Sequence, residues 1–273
     1  MFKINLVVLF LEYPSEKYEK SFSFLQLFLK DIQQKCNITY IRINNKKHSG
    51  KYNAQRFTCL NPRYEEYRID GDNNEWEFSG WNKGLKFLKE SKIPYDAVLF
   101  VNDSFVTNSY LLNKELFNLN TLKGCINNNA FVGKIDRLDW NERFQNHLYL
   151  LDEADVTAWI RTNVFYMSKK IVNTINKTGL VIYNIGDLNK FISEKYHGRA
   201  FLHNCPMSHH LQRQIIAWLT KYWHSAFKLS KETWNLWRMK TLAIINEKML
   251  YRLINRLGFN IYDYSEFNYK EIK

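Results

Sequence analysis

Only four cysteines, four prolines and ten glycines occur in the 273 residues, and each scarcity excludes something. Cys36, Cys59, Cys125 and Cys205 are scattered, with neither the paired spacing of a zinc site nor the density of a secreted disulfide scaffold. They read as reduced thiols in a cytoplasmic protein. So little Pro and Gly leaves few linker-like segments, and 45% hydrophobic with 16% aromatic residues excludes general disorder. No apolar run is long enough to span a bilayer. The opening MFKINLVVLFLEYP has one Lys and no small-residue cleavage site after its apolar run, so it reads as a first buried strand, not a leader. Internal repeats and low-complexity tracts are absent.

What the chain has in excess is positive charge. Its formal charge is +12, which favours anionic partners: nucleic acid, anionic lipid headgroups or phosphorylated small molecules. Residues 221–256 hold eight Lys/Arg and two Glu, a net of +6 and half of the total.

Strand and helix signals alternate over the first 200 residues. Ile4 to Phe10 reads as a strand, and residues 16–35 carry Tyr18, Phe22, Leu25, Leu29 and Ile32 on one helical stripe. Ile38 to Ile43 reads as a second strand and Tyr67 to Ile69 as a weaker one. A helix from about Gly80 puts Trp81, Leu85 and Leu88 on one face and ends before Pro94. The apolar run Ala97 to Val101 follows as a strand buried on both faces. Beyond it, residues 109–118 suit a short helix, Ala130 to Gly133 and Thr162 to Met167 two strands, and Ser168 to Lys177 a helix closed by Gly179. This order predicts an α/β fold, a mainly parallel sheet flanked by helices. From His209 the signals are helical only, so the chain divides into an α/β domain over 1–208 and a basic, Trp-rich helical region over 209–273.

The chemistry-bearing residues gather where the central strand ends. Asn102, Asp103 and Ser104 stand at its carboxyl edge, where open α/β sheets bind ligands. Glu77-Phe78-Ser79-Gly80-Trp81-Asn82-Lys83-Gly84-Leu85 and Val98-Leu99-Phe100-Val101-Asn102-Asp103-Ser104 together resemble the GT-A-fold glycosyltransferases of bacterial surface-polysaccharide synthesis, the rhamnan-synthesis F type in particular. A weaker echo runs through residues 159–165 and 183–188, so the likeness covers about 70–190. In that family a turn, a helix and a strand ending in Asn-Asp-Ser follow one another. Two departures stand out: the usual Asp-any-Asp metal motif is reduced to Asp103 between neutral neighbours, and Tyr183-Asn184 stands where the family tends to show Tyr-Glu.

The resemblance implies a GT-A-like, Rossmann-like domain that moves a sugar from a nucleotide-sugar donor to a glycan or lipid-linked acceptor in O-antigen or capsule synthesis. It assigns Glu77, Ser79, Gly80, Lys83, Asn102, Asp103, Ser104 and Arg161 to the donor. Asp103 is the candidate ligand for Mn²⁺ or Mg²⁺, with His203, His209 or His210 as a further ligand. Without metal, Lys83 or Arg161 would neutralise the phosphates. An inverting transfer needs a carboxylate base, for which Asp187 comes first, then Asp155 and Glu153. Each assignment has a plainer counterpart: Asp103 as a turn residue, Ser79 and Gly80 as a helix start, Trp81 as core, Asp187 as a first-turn acid.

The carboxyl-terminal region combines Trp218, Trp223, Trp234 and Trp237 with Lys248, Arg252 and Arg256. Such a surface suits the inner face of the cytoplasmic membrane; a packed helical subdomain or a dimer interface is the counter-reading. Two other functions fit the composition: sugar-phosphate or nucleotidyl transfer, and a basic nucleic-acid-binding protein, for which no RNP-type or helix-turn-helix signature is present.

Overall fold

Strand β1, Ile4–Glu12, is buried continuously from Leu6 to Leu11, and its alternate residues enter different cores. Val7, Leu9 and Leu11 pack on one face of the sheet, Leu6, Val8 and Phe10 on the other. Strand β5, Ala97–Asn102, divides in the same way. A strand with two apolar faces requires cover on both, and that requirement organises the molecule. The structure, a computed structural model, describes residues 3–13, 15–46, 54–57, 64–107, 114–137, 147–148, 154–155, 158–223 and 225–267.

After β1 come helices α1 (Ser21–Phe28) and α2 (Lys30–Lys35), then β2 (Cys36–Asn44). The expected single helix over 16–35 is thus broken at Leu29, yet Leu25, Leu29 and Ile32 still bury their shared face. Strands β3 (Ala54–Phe57) and β4 (Tyr64–Asp70) precede helix α3 (Glu77–Ser91), which starts three residues before Gly80. Trp81, Leu85 and Leu88 are buried as their spacing predicts, and Lys92 ends α3 in the left-handed region two residues before Pro94. Beyond β5 follow α4 (Leu119–Asn127), β6 (Phe131–Arg137), β7 (His147–Leu148), β8 (Ala154–Asp155), β9 (Ala158–Ser168), α5 (Lys169–Ile175) and α6 (Ile185–Leu188). The last part contributes α7 (His209–Ala217), a π-helical turn (Trp218–Tyr222), α8 (Trp234–Arg256) and β10 (Ile261–Asp263). The helix expected over 109–118 is described only at Lys114–Phe117, as a 3₁₀ turn; its first residues lie outside the described ones.

The main sheet has eight strands in the order β10-β6-β9-β5-β1-β2-β4-β3. Strands β1, β2, β4 and β5 run one way. Strand β9 opposes both β5 and β6, so β6 and its parallel neighbour β10 run with the majority, while β3 opposes β4. The sheet is therefore mainly parallel with two reversed strands, and the fold is α/β. Strands β7 and β8 form a separate two-stranded ladder.

A third core is built by helices. Tyr183, Leu188, Phe191 and Ile192 pack with Leu211, Ile215, Leu219, Trp234 and Trp237, so it draws on both sides of residue 208. Helix α8 belongs to two cores at once, since its Ala243, Leu250 and Ile254 pack under the sheet.

Candidate functional site

Parallel strands β1, β2 and β5 all end on one edge of the sheet, and the residues just past their ends form the floor of the candidate site. Asp103 follows β5 directly and is only 2% exposed. The Tyr13 backbone N–H, from the chain just past β1, donates to Asp103 Oδ2, and Ser21 Oγ donates to the Asp103 carbonyl at 2.8 Å. Asp103 Oδ1 is buried without a partner among the described residues. Burial, reinforced by the nearby Glu12 charge, pushes the Asp103 carboxyl up to about 7 against the pull of its N–H donors. Beside it, Ser104 Oγ donates to Asn102 Oδ1 at 2.7 Å, and Asn163 Nδ2 of β9 donates to Ser104 Oγ at 3.4 Å.

Asn45, just past β2, ties three segments together. Its fully buried amide donates to the Tyr13 hydroxyl at 2.9 Å and to the Trp76 carbonyl at 2.9 Å, while its Oδ1 accepts from the Asn73 N–H at 3.1 Å. Helix α3 therefore begins directly over the ends of β1 and β2. Gly80 permits this approach: a Cβ there would stand 2.4 Å from Leu11 Cδ1 and 2.8 Å from Asn45 Oδ1. Trp76, at the helix entrance, takes φ 57° and ψ −132°, a conformation rarely adopted by a side-chain-bearing residue. Tyr13 packs against its ring at 5.7 Å between centroids, and Lys240 Nζ of α8 sits 3.8 Å from the ring centre.

A second group of charges lies at the first residue of α3. Glu77 is 8% exposed, with Oε1 3.3 Å from Thr162 Oγ1 and Oε2 buried without a partner among the described residues. Glu247 of α8 reaches the same hydroxyl at 3.1 Å and accepts the Thr162 backbone N–H at 2.8 Å. Two lysines on α8 face this pair. Lys240 is brought down to about 8 by burial, against the opposing charges of Glu77 and Glu247; Lys248, 3.3 Å from the centre of the Trp159 ring, is brought to about 8 likewise. Burial raises the Glu77 carboxyl and pushes Glu247 up to about 7. Tyr13 joins the two groups, since burial and then the charges of Glu77 and Asp103 raise its hydroxyl well above the usual range.

The residues named from sequence separate into two sets. Glu77, Asn102, Asp103, Ser104 and Gly80 converge on this edge. Ser79 supports the helix start, accepting from the Glu75 N–H at 3.1 Å and donating to the Trp76 carbonyl at 3.3 Å. Lys83 is paired with Asp72 at 3.0 Å and Arg161 with Asp136 at 2.6 Å, so both phosphate-neutralising candidates already hold a carboxylate. Asp187 closes a capping box with Asn184 at the start of α6 and pairs with Lys190 at 2.8 Å. That segment does approach the α3 entrance, where Glu75 meets the Ile185 N–H. Asp155 lies on β8 in the small ladder, and Glu153 falls outside the described residues. His203 and His209 are exposed, and His210 contacts Gln214 at 3.0 Å.

Tyr13, Asn45, Lys240 and Glu247 were not found from sequence, and Lys248 was read only as part of a basic surface. The rule that singled out Asn102 and Asp103, polar residues directly past a buried parallel strand, applies equally to Tyr13 and Asn45. For Lys240, Glu247 and Lys248 no comparable local signal exists.

Asp103 Oδ1, buried and without a partner among the described residues, is an oxygen that suits a hard cation; Asn102 Oδ1 is engaged by Ser104. Among the described residues no group of three or more His, Cys, Asp or Glu side chains is arranged to hold a metal ion. No protein-family model matches the chain, and no curated protein matches it. What fold and site define together is an α/β protein with the buried carboxylates Asp103 and Glu77 at the carboxyl edge of its parallel strands.

Proposed function

We propose that the protein is a GT-A-type glycosyltransferase of bacterial surface-polysaccharide synthesis, moving a sugar from a nucleotide-sugar donor to a glycan or lipid-linked acceptor. The observation that carries this reading is Asp103: a carboxylate with a buried oxygen that has no partner among the described residues, placed past the central parallel strand and flanked by Asn102 and Ser104. An orphaned buried carboxylate oxygen costs stability, roughly 1–3 kcal/mol or more, and a ligand that satisfies it accounts for its retention. In this reading Asn102, Asp103 and Ser104 bind the donor. A divalent cation held at Asp103 Oδ1 would take its remaining ligands from the donor phosphates and offset the leaving group's charge.

Helix α3 contributes position. Its entrance, fixed by Asn45, Trp76 and Ser79, brings Glu77 to the same edge as Asp103. Lys83 and Arg161 serve chiefly as partners of Asp72 and Asp136. Asp187, committed to its cap and to Lys190, is a poor base for the acceptor hydroxyl.

A panel of UDP-, GDP-, dTDP- and CMP-sugars, with and without Mn²⁺, tests the proposal by thermal shift and by hydrolysis or transfer. One donor class is expected to stabilise the protein and to be consumed. Asp103→Ala is expected to abolish transfer in a folded protein. Silence across the panel, or full activity in that variant, would sink the reading, and release of a sugar phosphate in place of a glycoside would move it to phosphoryl or nucleotidyl transfer.

A further inference from the structure

Thr162 Oγ1 lies within hydrogen-bonding distance of two carboxyl oxygens, Glu77 Oε1 at 3.3 Å and Glu247 Oε1 at 3.1 Å. A hydroxyl has one proton to give. It makes a full hydrogen bond to each neighbour only by donating to one and accepting from the other, an arrangement in which one carboxyl carries a proton. The Thr162 backbone N–H identifies which. It donates to Glu247 Oε1 at 2.8 Å, so that oxygen accepts twice, the pattern of an ionised carboxylate. Glu77 Oε1 is then the protonated oxygen and donates to Thr162. Its other oxygen, Oε2, becomes the carbonyl end of a neutral acid, buried and with no partner among the described residues.

We propose that Glu77, Thr162 and Glu247 form a proton relay, with Glu77 Oε2 as the atom that receives the acceptor hydroxyl's proton. The inference rests on the glycosyltransferase reading for the identity of that hydroxyl. As the acceptor oxygen bonds to the sugar carbon and the bond from that carbon to the donor phosphate breaks, the acceptor O–H proton passes to Glu77 Oε2. Glu77 Oε1 gives its proton to Thr162 Oγ1, and Thr162 gives its own to Glu247 Oε1. Glu77 and Thr162 end with as many protons as they began with, Glu247 gains one, and the electron pair of the broken bond leaves on the nucleotide phosphate.

The surroundings suit this task. Titratable groups face the relay from three elements: Lys240 and Lys248 from α8, Tyr13 from the end of β1, and Asp136 of β6, which faces Lys248. Burial lifts Glu247 to about 7, close to the value at which a general base works best at neutral pH. Glu77 touches the acceptor in this scheme and is its catalytic residue; Thr162 and Glu247 act through it.

Two measurements decide the matter. Infrared difference spectra of wild type against Glu77→Gln at pH 7 should show a carboxylic-acid carbonyl component belonging to Glu77, beside those of Asp103 and Glu247, and Asp103→Asn should leave that component in place. With the reactive donor from the UDP-, GDP-, dTDP- and CMP-sugar panel, Thr162→Val should lower kcat by about 10²–10³-fold while donor KM stays within twofold, and Thr162→Ser should recover most of the loss. Absence of the Glu77 component, or a Thr162→Val enzyme within threefold of wild type, overturns the relay. If Thr162→Val fails to fold, Thr162→Ser and the Glu77 component still decide it. If no donor reacts with the wild-type protein, the glycosyltransferase reading fails by itself, and the infrared component alone tells whether Glu77 holds the proton.

Discussion

Asp103 illustrates how a single side chain can weaken the fold it belongs to. Its carboxyl, pushed up to about 7 in the folded protein, has an ordinary value near 3.9 when the chain unfolds. Between these values the folded state binds the extra proton, so stability is highest at low pH and falls as pH rises through about 7. From pH 5.5 to pH 8 the loss from this group alone is about 2 kcal/mol, at 1.36 kcal/mol per unit. Asp103→Asn removes that dependence. Denaturant titrations should therefore find the variant gaining about 2 kcal/mol on wild type between pH 5.5 and pH 8; parallel curves for the two proteins would refute the assignment. A cation at Oδ1 competes with the same proton, so Mn²⁺ or Mg²⁺ binding should strengthen across the same interval.

Helix α3 shows what a glycine does when two elements must meet closely. Gly80→Ala drives a methyl group into Leu11 and Asn45, and with it the amide that fixes Tyr13, Asn73 and Trp76. Overpacking of this kind costs roughly 1–3 kcal/mol. Thermal unfolding should register it, and an unchanged melting temperature would mean that the contact relaxes freely. The segment also marks how far sequence reaches. The Trp81, Leu85 and Leu88 spacing and the apolar run before Asn102 made α3 and β5 legible, because periodicity reports which face is buried. The reversal of β9 was not legible: a strand's direction leaves no trace in its side-chain pattern. Nor was the charge cluster, because Glu247 meets Thr162 across 85 positions of chain and α8 reads locally as a basic surface helix. Lys248 in particular, expected on an outward basic face, is buried over Trp159.

At the scale of the molecule, the carboxyl-terminal region is part of the fold. Trp234 and Trp237 are buried in the third core, and β10 completes the sheet beside β6. Deleting everything beyond residue 210 is consequently a test of folding, not of membrane contact. No helix among the described residues is long and apolar enough to cross a membrane. If the carboxyl-terminal region meets an anionic bilayer as part of the proposed function, its exposed aromatic contribution comes from the π-helical turn, where Trp218 is 42% and Tyr222 76% exposed. A double variant, Trp218→Ala with Tyr222→Ala, should keep the wild-type melting temperature and lose affinity severalfold for vesicles rich in phosphatidylglycerol. Equal binding by both proteins would remove the turn from any membrane-facing surface. The pairing of β10 with β6 has a further consequence in time. Ile261 aligns with Phe131, 130 positions earlier, so a chain emerging from the ribosome carries β6 with its outer edge open while that intervening stretch is made. Until the last strand arrives, that edge is a template for another chain, and aggregation of truncated or stalled translation products is the expected hazard.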